Sequence, residues 1–391
     1  MYKQEIITRE LILLSLANMC YWASLDIFLP VLPRYYQGIG LDTYGVGLIV
    51  GALSAGGMLF RVVAGRAVDR YGSAVVACAG LLLSVAAIWG YFSARSLGLA
   101  VLCSFSQGVG MACYSPAATT MATLMFDRRY VTDVIAVYSL FGMIGASFAT
   151  AAASIVYDAA GMPVVIGTGG LLAAGALLLV PKRPTVKTEL SEAPAVSTRA
   201  IAGNPGVYIP TFSTLANGIC FAGLMVFLPL LMLSRQVADF NIYFVTYAVV
   251  VVAIRVFVRQ LCDRFGALQL EWLSVVLIGL AMFFAVWSHD WVALALCGVI
   301  TGLSLGVAFP AMGTTIATYT DPKNRGAAFG IFTTASDIGF VIGATGLSFV
   351  AATWGYAAVF MLSGGYALLY AVIHRVWLVD KLKAAAVCNN C

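Results

Sequence analysis

Charge is what this sequence has least of. Only 10% of its 391 residues are Asp, Glu, Lys or Arg, while 61% are hydrophobic and the mean hydropathy is +0.95. Soluble domains are about a quarter charged and about half apolar, so these few charges cannot clothe a water-facing surface, and a soluble enzyme or carrier is excluded. Histidine is scarce as well. His289 and His374 are the only two, both at the ends of apolar runs; no H-E-x-x-H pattern exists, and no Ser-His-acid constellation is expected, which excludes an enzyme. A Gly-rich loop ending in Gly-Lys-Ser/Thr is missing, so the chain carries no phosphate cradle for ATP.

Nine cysteines build no disulfide framework. Cys20, Cys78, Cys103, Cys113, Cys220 and Cys297 lie inside apolar runs, where cysteine is an ordinary packing residue. Cys388-Asn-Asn-Cys391 has metal-ligand spacing but no second ligand pair. No metal and no cofactor are expected.

What is present in quantity is long apolar runs. They are continuous rather than alternating, which selects membrane helices over a barrel, and their length of about twenty residues matches a hydrocarbon core of about 30 Å. Twelve segments are predicted, over 10–33, 44–65, 74–94, 97–124, 132–156, 163–180, 205–233, 241–260, 270–288, 291–318, 326–350 and 355–377. Arg9 and Glu10 precede a first run too long for a signal-peptide core, so it is expected to remain as a helix. With the amino terminus inside, nineteen of the 22 Lys and Arg fall on the cytoplasmic side, and only Arg34, Arg95 and Arg235 fall outside. This bias predicts a multi-pass protein of the inner (cytoplasmic) membrane with both termini cytoplasmic. The net charge of +5 then reflects orientation, and nucleic acid is not a partner.

The chain also repeats itself. Arg61-Val-Val-Ala-Gly65-Arg66-Ala-Val-Asp69-Arg70-Tyr71-Gly72 returns 194 positions later as Arg255-Val-Phe-Val-Arg259-Gln260-Leu-Cys262-Asp263-Arg264-Phe265-Gly266. Asn18 and Pro30 match Asn217 and Pro229 at a shift of 199; from the first outer loop onward Gly108, Pro116, Asp127 and Gly145 match Gly302, Pro310, Asp321 and Gly339 at 194. Two six-helix bundles in parallel orientation follow. Their expected extents are 1–180 and 205–391, the latter ending in a short cytoplasmic tail. A Pro-, Ser-, Thr- and charge-rich cytoplasmic linker over 181–204 joins them.

On these residues the chain resembles the major facilitator superfamily over essentially its whole length, and within it the twelve-helix drug or metabolite:proton antiporters. The family's inner-loop pattern, G-x-x-x-D-R-x-G, is matched by Gly65, Asp69, Arg70 and Gly72, with Ser73 and Ala74 where a basic pair is usual. The resemblance implies a gate: Asp69 against the amino terminus of the eleventh membrane helix, Arg70 reaching acceptors near the ends of helices three to five. Gly65 would allow close approach of helices, Gly72 a tight reversal. Asp263 and Arg264 repeat the pair, and Arg61 and Arg255 are either gate partners or anchors. Ser104 stands where the family has an arginine three residues before Gln107-Gly108. In the fifth segment the antiporter pattern G-P-x-x-G-G survives only as Gly145-Ala146-Ser147-Phe148-Ala149-Thr150, small but without proline.

Two acidic residues lie well inside apolar runs, Asp26 and Asp337. A charge there costs about 2.5–3.5 kcal/mol even on the permissive insertion scale, so each needs a reason. Asp26 shares a helical face with Trp22 and Asn18, Asp337 with Thr333, and Asp26 followed by Pro30 and Pro33 resembles helix one of the antiporters. Burial favours the neutral form of a carboxylate, the property of a proton carrier. Asp26 is therefore the expected proton-coupling acid and Asp337 the second candidate. Asn18, Tyr21, Trp22, Gln107, Tyr114, Tyr138, Asn217, Tyr247 and Thr333 are candidates for the wall of a substrate cavity, because polar and amphipathic residues in membrane helices face protein or water. An aromatic cavity with few charges suits an amphipathic or zwitterionic solute.

The expected function is proton-coupled secondary transport, with export of a small organic molecule, a drug or a metabolite such as an opine-type metallophore, by alternating access. Import, or a transport-dead sensor or lipid-handling relative, stays open. The partners are a small-molecule substrate, protons and the bilayer; a monomer is expected.

Overall fold

Backbone groups in a bilayer must be satisfied within the chain, and the chain does this with helices throughout. The computed structural model describes residues 8–124, 131–181, 201–237, 239–320 and 325–378, and no strand occurs among the described residues. The predicted linker lies, over 182–200, outside the described residues, as do the tail from 379 with Cys388 and Cys391, and the repeat positions Asp127 and Asp321.

Helix α1, Arg9–Asp26, starts at Thr8, whose hydroxyl accepts from the Leu11 N–H at 3.2 Å. It stops where Pro30 cannot supply an N–H. Across the stop, Phe28, Leu29 and Val31 bond back only three residues, to Leu25, Asp26 and Phe28. Beyond it α2, Val31–Gly38, completes the first span. Then come α3 (Thr43–Tyr71), α4 (Ser73–Gly90), α5 (Leu97–Leu124) and α6 (Val131–Leu179). The membrane part of α6, Val137–Leu179, is 43 residues long, about 65 Å at 1.5 Å per residue, twice the bilayer core. It is broken at Gly161, whose φ of 75° lies outside helical space just before Pro163. So α6 is two spans, where the segments 132–156 and 163–180 are predicted.

Helix α7 (Pro205–Ser234) is capped by Asn204, which accepts from the Gly206 N–H at 2.8 Å. It is followed by α8 (Asn241–Phe265), α9 (Ala267–Trp287) and α10 (Trp291–Tyr319). Helix α11 (Arg325–Val341) runs through a π turn at Ile342–Gly346 into α12 (Leu347–Trp354). The last helix, α13 (Tyr356–Ile373), ends in another π turn, His374–Leu378. Among the described residues eleven stretches are long and apolar enough to cross a membrane, and with α6 counted twice they agree with the twelve predicted segments. The protein is an all-α, multi-pass membrane protein.

Contacts divide the chain into two units, Met1–Leu41 with Leu48–Glu192 and Asp42–Gly47 with Ala193–Cys391. The first turn of α3 thus groups with the second unit, where Thr345 Oγ1 donates to the Gly47 carbonyl at 3.1 Å. In the first unit the core gathers Leu14, Tyr21, Leu81, Met111, Tyr114 and Val134. Leu171 and Leu178 on α6 are 70% and 78% exposed, a surface that lipid, not water, must cover.

Candidate functional site

In the first unit the polar stripe of α1 meets α5 and α6. Asn18 is buried and its amide donates to the Tyr138 carbonyl at 3.0 Å. Tyr21 is buried against Tyr114, with ring centroids 4.1 Å apart, and touches Trp22 edge-on at 6.1 Å. The Tyr21 and Tyr114 hydroxyls and Asn18 Oδ1 are buried without a hydrogen-bond partner. One turn along the same face, Asp26 is half-buried; its carboxylate makes no hydrogen bond or ion pair among the described residues. Only its backbone carbonyl is engaged, 3.5 Å from Thr150 Oγ1. Five predicted cavity residues, Asn18, Tyr21, Trp22, Tyr114 and Tyr138, thus come together beside an unpaired carboxylate.

Gln107 belongs elsewhere. It is fully buried and its Oε1 accepts from the Tyr91 hydroxyl at 3.2 Å, while Tyr91 packs on Phe28. The amide locks the end of α4 to α5 and does not join the Tyr21–Tyr114 group.

In the second unit Tyr247 on α8 stacks with Tyr243 at 6.3 Å and faces Phe221 on α7 at 6.2 Å; Phe221 in turn meets Phe340 on α11 at 6.1 Å. Asp337 and Thr333 are half-buried on α11, one turn apart, and the Thr333 hydroxyl bonds back to the Phe329 carbonyl at 2.9 Å. Two turns past Tyr247, Arg255 lies within electrostatic reach of the Tyr247 hydroxyl. Its Nε is buried without a hydrogen-bond partner, and the guanidinium makes no ion pair among the described residues. Asn217 departs from expectation. It is buried, donates to the Ser213 carbonyl at 3.0 Å and lies 3.4 Å from Ser304 Oγ, a packing contact between α7 and α10.

Phe221 and Phe340 are absent from the sequence-based set. Phe221 sits four residues after Asn217, the same spacing that singles out Trp22 after Asn18. A third membrane-embedded acid, Glu271, also escapes it, because the predicted segment begins at 270 whereas α9 begins at Ala267. One motif match proves empty: Gly302-Leu-Ser304-Leu-Gly306 has the spacing of a hydrolase nucleophile elbow, but it lies within α10, with Ser304 buried and donating to the Ser274 carbonyl at 2.7 Å.

The repeated motif keeps its turn in both copies. Gly72 and Gly266 have φ of 88° and 82°, and each joins two helices directly. Gly65 does not make the expected close approach: a Cβ built on it meets no atom within 4 Å among the described residues. Close approaches occur at other glycines, among them Gly145, where a Cβ would collide with the Met19 backbone of α1. Arg70 is exposed and lies over the ring of Tyr71 at 5.3 Å, and Arg264 lies over Phe265 at 5.4 Å. No hydrogen bond or ion pair from either to another helix end occurs among the described residues. Arg61 is half-buried and engaged, Asp263 exposed. The Asp69 side chain lies outside what the structure describes.

A model of the Major Facilitator Superfamily matches residues 14–270 and 211–388. An uncharacterized MFS-type transporter of Salmonella typhimurium is 22% identical over 375 residues, covering 92% of this chain and 95% of the relative. One from Pseudomonas aeruginosa is 26% identical, covering 95% of each. Among solved structures, a mutant form of the nucleoside transporter NupG superposes with a TM-score of 0.80 at 15% identity, covering 94% of this chain and 98% of that one. The human organic anion transporter MFSD10 gives 0.69 at 17%, covering 94% and 99%. At these identities the structures share a fold.

Proposed function

The chain belongs to the Major Facilitator Superfamily, and from that membership we propose that it is a proton-coupled transporter exporting a small amphipathic or zwitterionic organic molecule by alternating access. The observation that carries this reading is a pair of unpartnered charges in membrane helices, Asp26 in the first unit and Arg255 in the second, each beside aromatic rings. A lone membrane-embedded charge is costly, and such residues mark substrate and proton paths. Asp26 is the coupling acid in this reading: it holds a proton when the site opens to one side and yields it when the solute takes its place. Asp337 is the second candidate. Tyr21, Trp22 and Tyr114 supply flat apolar surface, as do Tyr247, Phe221 and Phe340. The buried Asn18 and Tyr hydroxyl acceptors offer hydrogen bonds that orient the solute.

Repeat-built transporters bind near the midplane and rock one bundle against the other. Here Asp69, with Arg70, Arg61 and the turn glycine Gly72, serves as the inner gate, and Asp263 and Arg264 repeat the pair in the second unit. The membrane is the bacterial inner membrane with both termini cytoplasmic, in keeping with the bacterial relatives and the distribution of Lys and Arg. The bundles are 1–180 and 205–391, and the working unit is a monomer. The neighbours named as nucleoside and organic anion transporters agree with an organic solute carrying polar groups. Import is the second reading, favoured by Ala146 in place of the antiporter proline.

Comparing secreted and retained metabolites with and without the protein identifies the solute. In proteoliposomes, wild type then moves it uphill under an imposed pH gradient, whereas Asp26→Asn exchanges it only downhill. Uphill transport by Asp26→Asn removes Asp26 from the coupling role. Flux indifferent to pH removes proton coupling altogether.

A further inference from the structure

The second unit buries an acid and a base that the transport reading does not use. Glu271 lies in the second turn of α9 and His374 opens the π turn at the end of α13; both are 0% exposed. His374 Nε2 is 3.4 Å from Glu271 Oε1, and the Ser213 hydroxyl of α7 donates to that same oxygen at 2.6 Å. Tyr370, one turn before His374, donates to the Ile209 carbonyl at 3.0 Å and touches the Ser213 hydroxyl at 3.1 Å. Glu271 Oε2 and both ring nitrogens of His374 have no hydrogen-bond partner, so the 3.4 Å approach of Nε2 to Oε1 is a charge contact rather than a hydrogen bond. Three helix ends meet at this cluster: Ser213 two turns into α7, Glu271 near the start of α9 and His374 at the end of α13.

We infer that Glu271 and His374 form a proton-binding site that latches the end of α13 onto α9 and α7. The reasoning is a count of charge. With one proton between them the two groups are neutral overall. With none, the carboxylate is a lone buried anion; with two, the imidazolium is a lone buried cation. A buried ion whose partner is removed is strongly destabilised, so only the one-proton state suits the dry, docked geometry. A proton gained or lost beyond that state leaves one uncompensated buried charge. Either excursion draws water to the site and loosens the end of α13.

Among the described residues no other charged group pairs with either member. From α13, Tyr366 stands beyond Tyr370, and Arg375 turns away to lie over the Trp272 ring at 5.6 Å. From α7, Tyr208 is near Tyr370. From α10, Tyr319 packs instead on Gly206. Next to the latch a second tie joins the same two helices, Trp272 Nε1 donating to the Ala371 carbonyl at 3.0 Å. The π turn sends neighbouring side chains to different sides, His374 into the bundle and Arg375 onto the surface; such turns are frequent at functional sites.

The test is independent of Asp26, which lies in the other unit, and needs no substrate. Thermal unfolding of the full chain in nanodiscs is followed from pH 4.5 to 9.5 for wild type, Glu271→Gln, His374→Gln and the double variant. The expected wild-type curve has a maximum and falls on both sides. Each single variant loses several degrees at that maximum, and the double variant loses less than the sum and has a flatter profile. A second measurement keeps the inference falsifiable if a variant fails to fold: hydrogen exchange of wild-type residues 356–378, corrected for intrinsic pH dependence, is fastest at the two pH extremes. A flat wild-type curve, strictly additive losses, or pH-independent protection of 356–378 overturns it. In the Asp26→Asn background the losses from Glu271→Gln and His374→Gln remain non-additive, so loss of proton-driven flux in that variant and failure of the latch are read separately.

Discussion

The Asn18 amide donates to the Tyr138 carbonyl across 3.0 Å, tying α1 to α6 where the aromatic group of the first unit forms. Hydrogen bonds between membrane helices contribute about 0.6 kcal/mol on average and up to about 1.7. Asn18→Leu is accordingly expected to lower stability by about 1 kcal/mol, read as a drop of a few degrees in Tm. Asn18→Asp should do more harm, because it adds an unpaired charge to the same buried place. If Asn18→Asp unfolds no earlier than Asn18→Leu, the site is wetter than its burial implies.

Gly145 and Gly65 predict opposite signs for one substitution. A Cβ at Gly145 collides with backbone of α1, which cannot swing aside as a side chain can, and overpacking of this kind costs about 1–3 kcal/mol. Gly65 has open space, so alanine there gains helix propensity, up to about 1 kcal/mol. Tm measured side by side should fall for Gly145→Ala and hold or rise for Gly65→Ala. A fall for Gly65→Ala would restore the close approach that its place in the motif suggests.

Much of the fold is legible in the sequence because its signals are local. Run length marks the spans, Gly161-Met162-Pro163 marks the break in α6, and the 194-residue shift marks two equivalent turns. The site is legible only where spacing along one helix suffices, as for Asn18, Trp22 and Asp26. Gln107 and Asn217 are polar residues in apolar helices and read identically to cavity residues. Gln107 accepts from Tyr91 at the end of the preceding helix, and Asn217 donates one turn back within α7 to the Ser213 carbonyl, partners that the apolar runs do not mark. Glu271 fails for another reason: a shift of three residues in a helix start moves a carboxylate from the rim into the membrane.

Gly72 and Gly266 carry φ near 85° with ψ of 149° and 141°. That region is essentially restricted to glycine and costs other residues about 1–3 kcal/mol. Gly72→Ala and Gly266→Ala are each expected to destabilise by that amount. Because the two turns lie in different units and no described residue stands within 4 Å of a Cβ at either, their losses in unfolding free energy should add within about 0.5 kcal/mol. A double variant markedly less damaged than the sum would mean that the turns relax together.

Arg255 sets activity against stability. Its guanidinium sits in a membrane helix near Tyr247 with no ion pair among the described residues, at a cost of about 2.5–3.5 kcal/mol on the insertion scale. A residue kept at that cost for a solute's acidic group is dispensable for folding. Arg255→Gln, which preserves length and polarity, should therefore raise Tm or leave it unchanged while reducing uptake of the solute into proteoliposomes at least tenfold, a loss of about 1.4 kcal/mol of binding. Arg255→Lys should recover part of that uptake, since an ammonium supplies the charge without the fork of donors. If Arg255 is instead an anchor reaching the inner surface, Arg255→Gln lowers Tm, and transport falls only in proportion to the folded protein that remains.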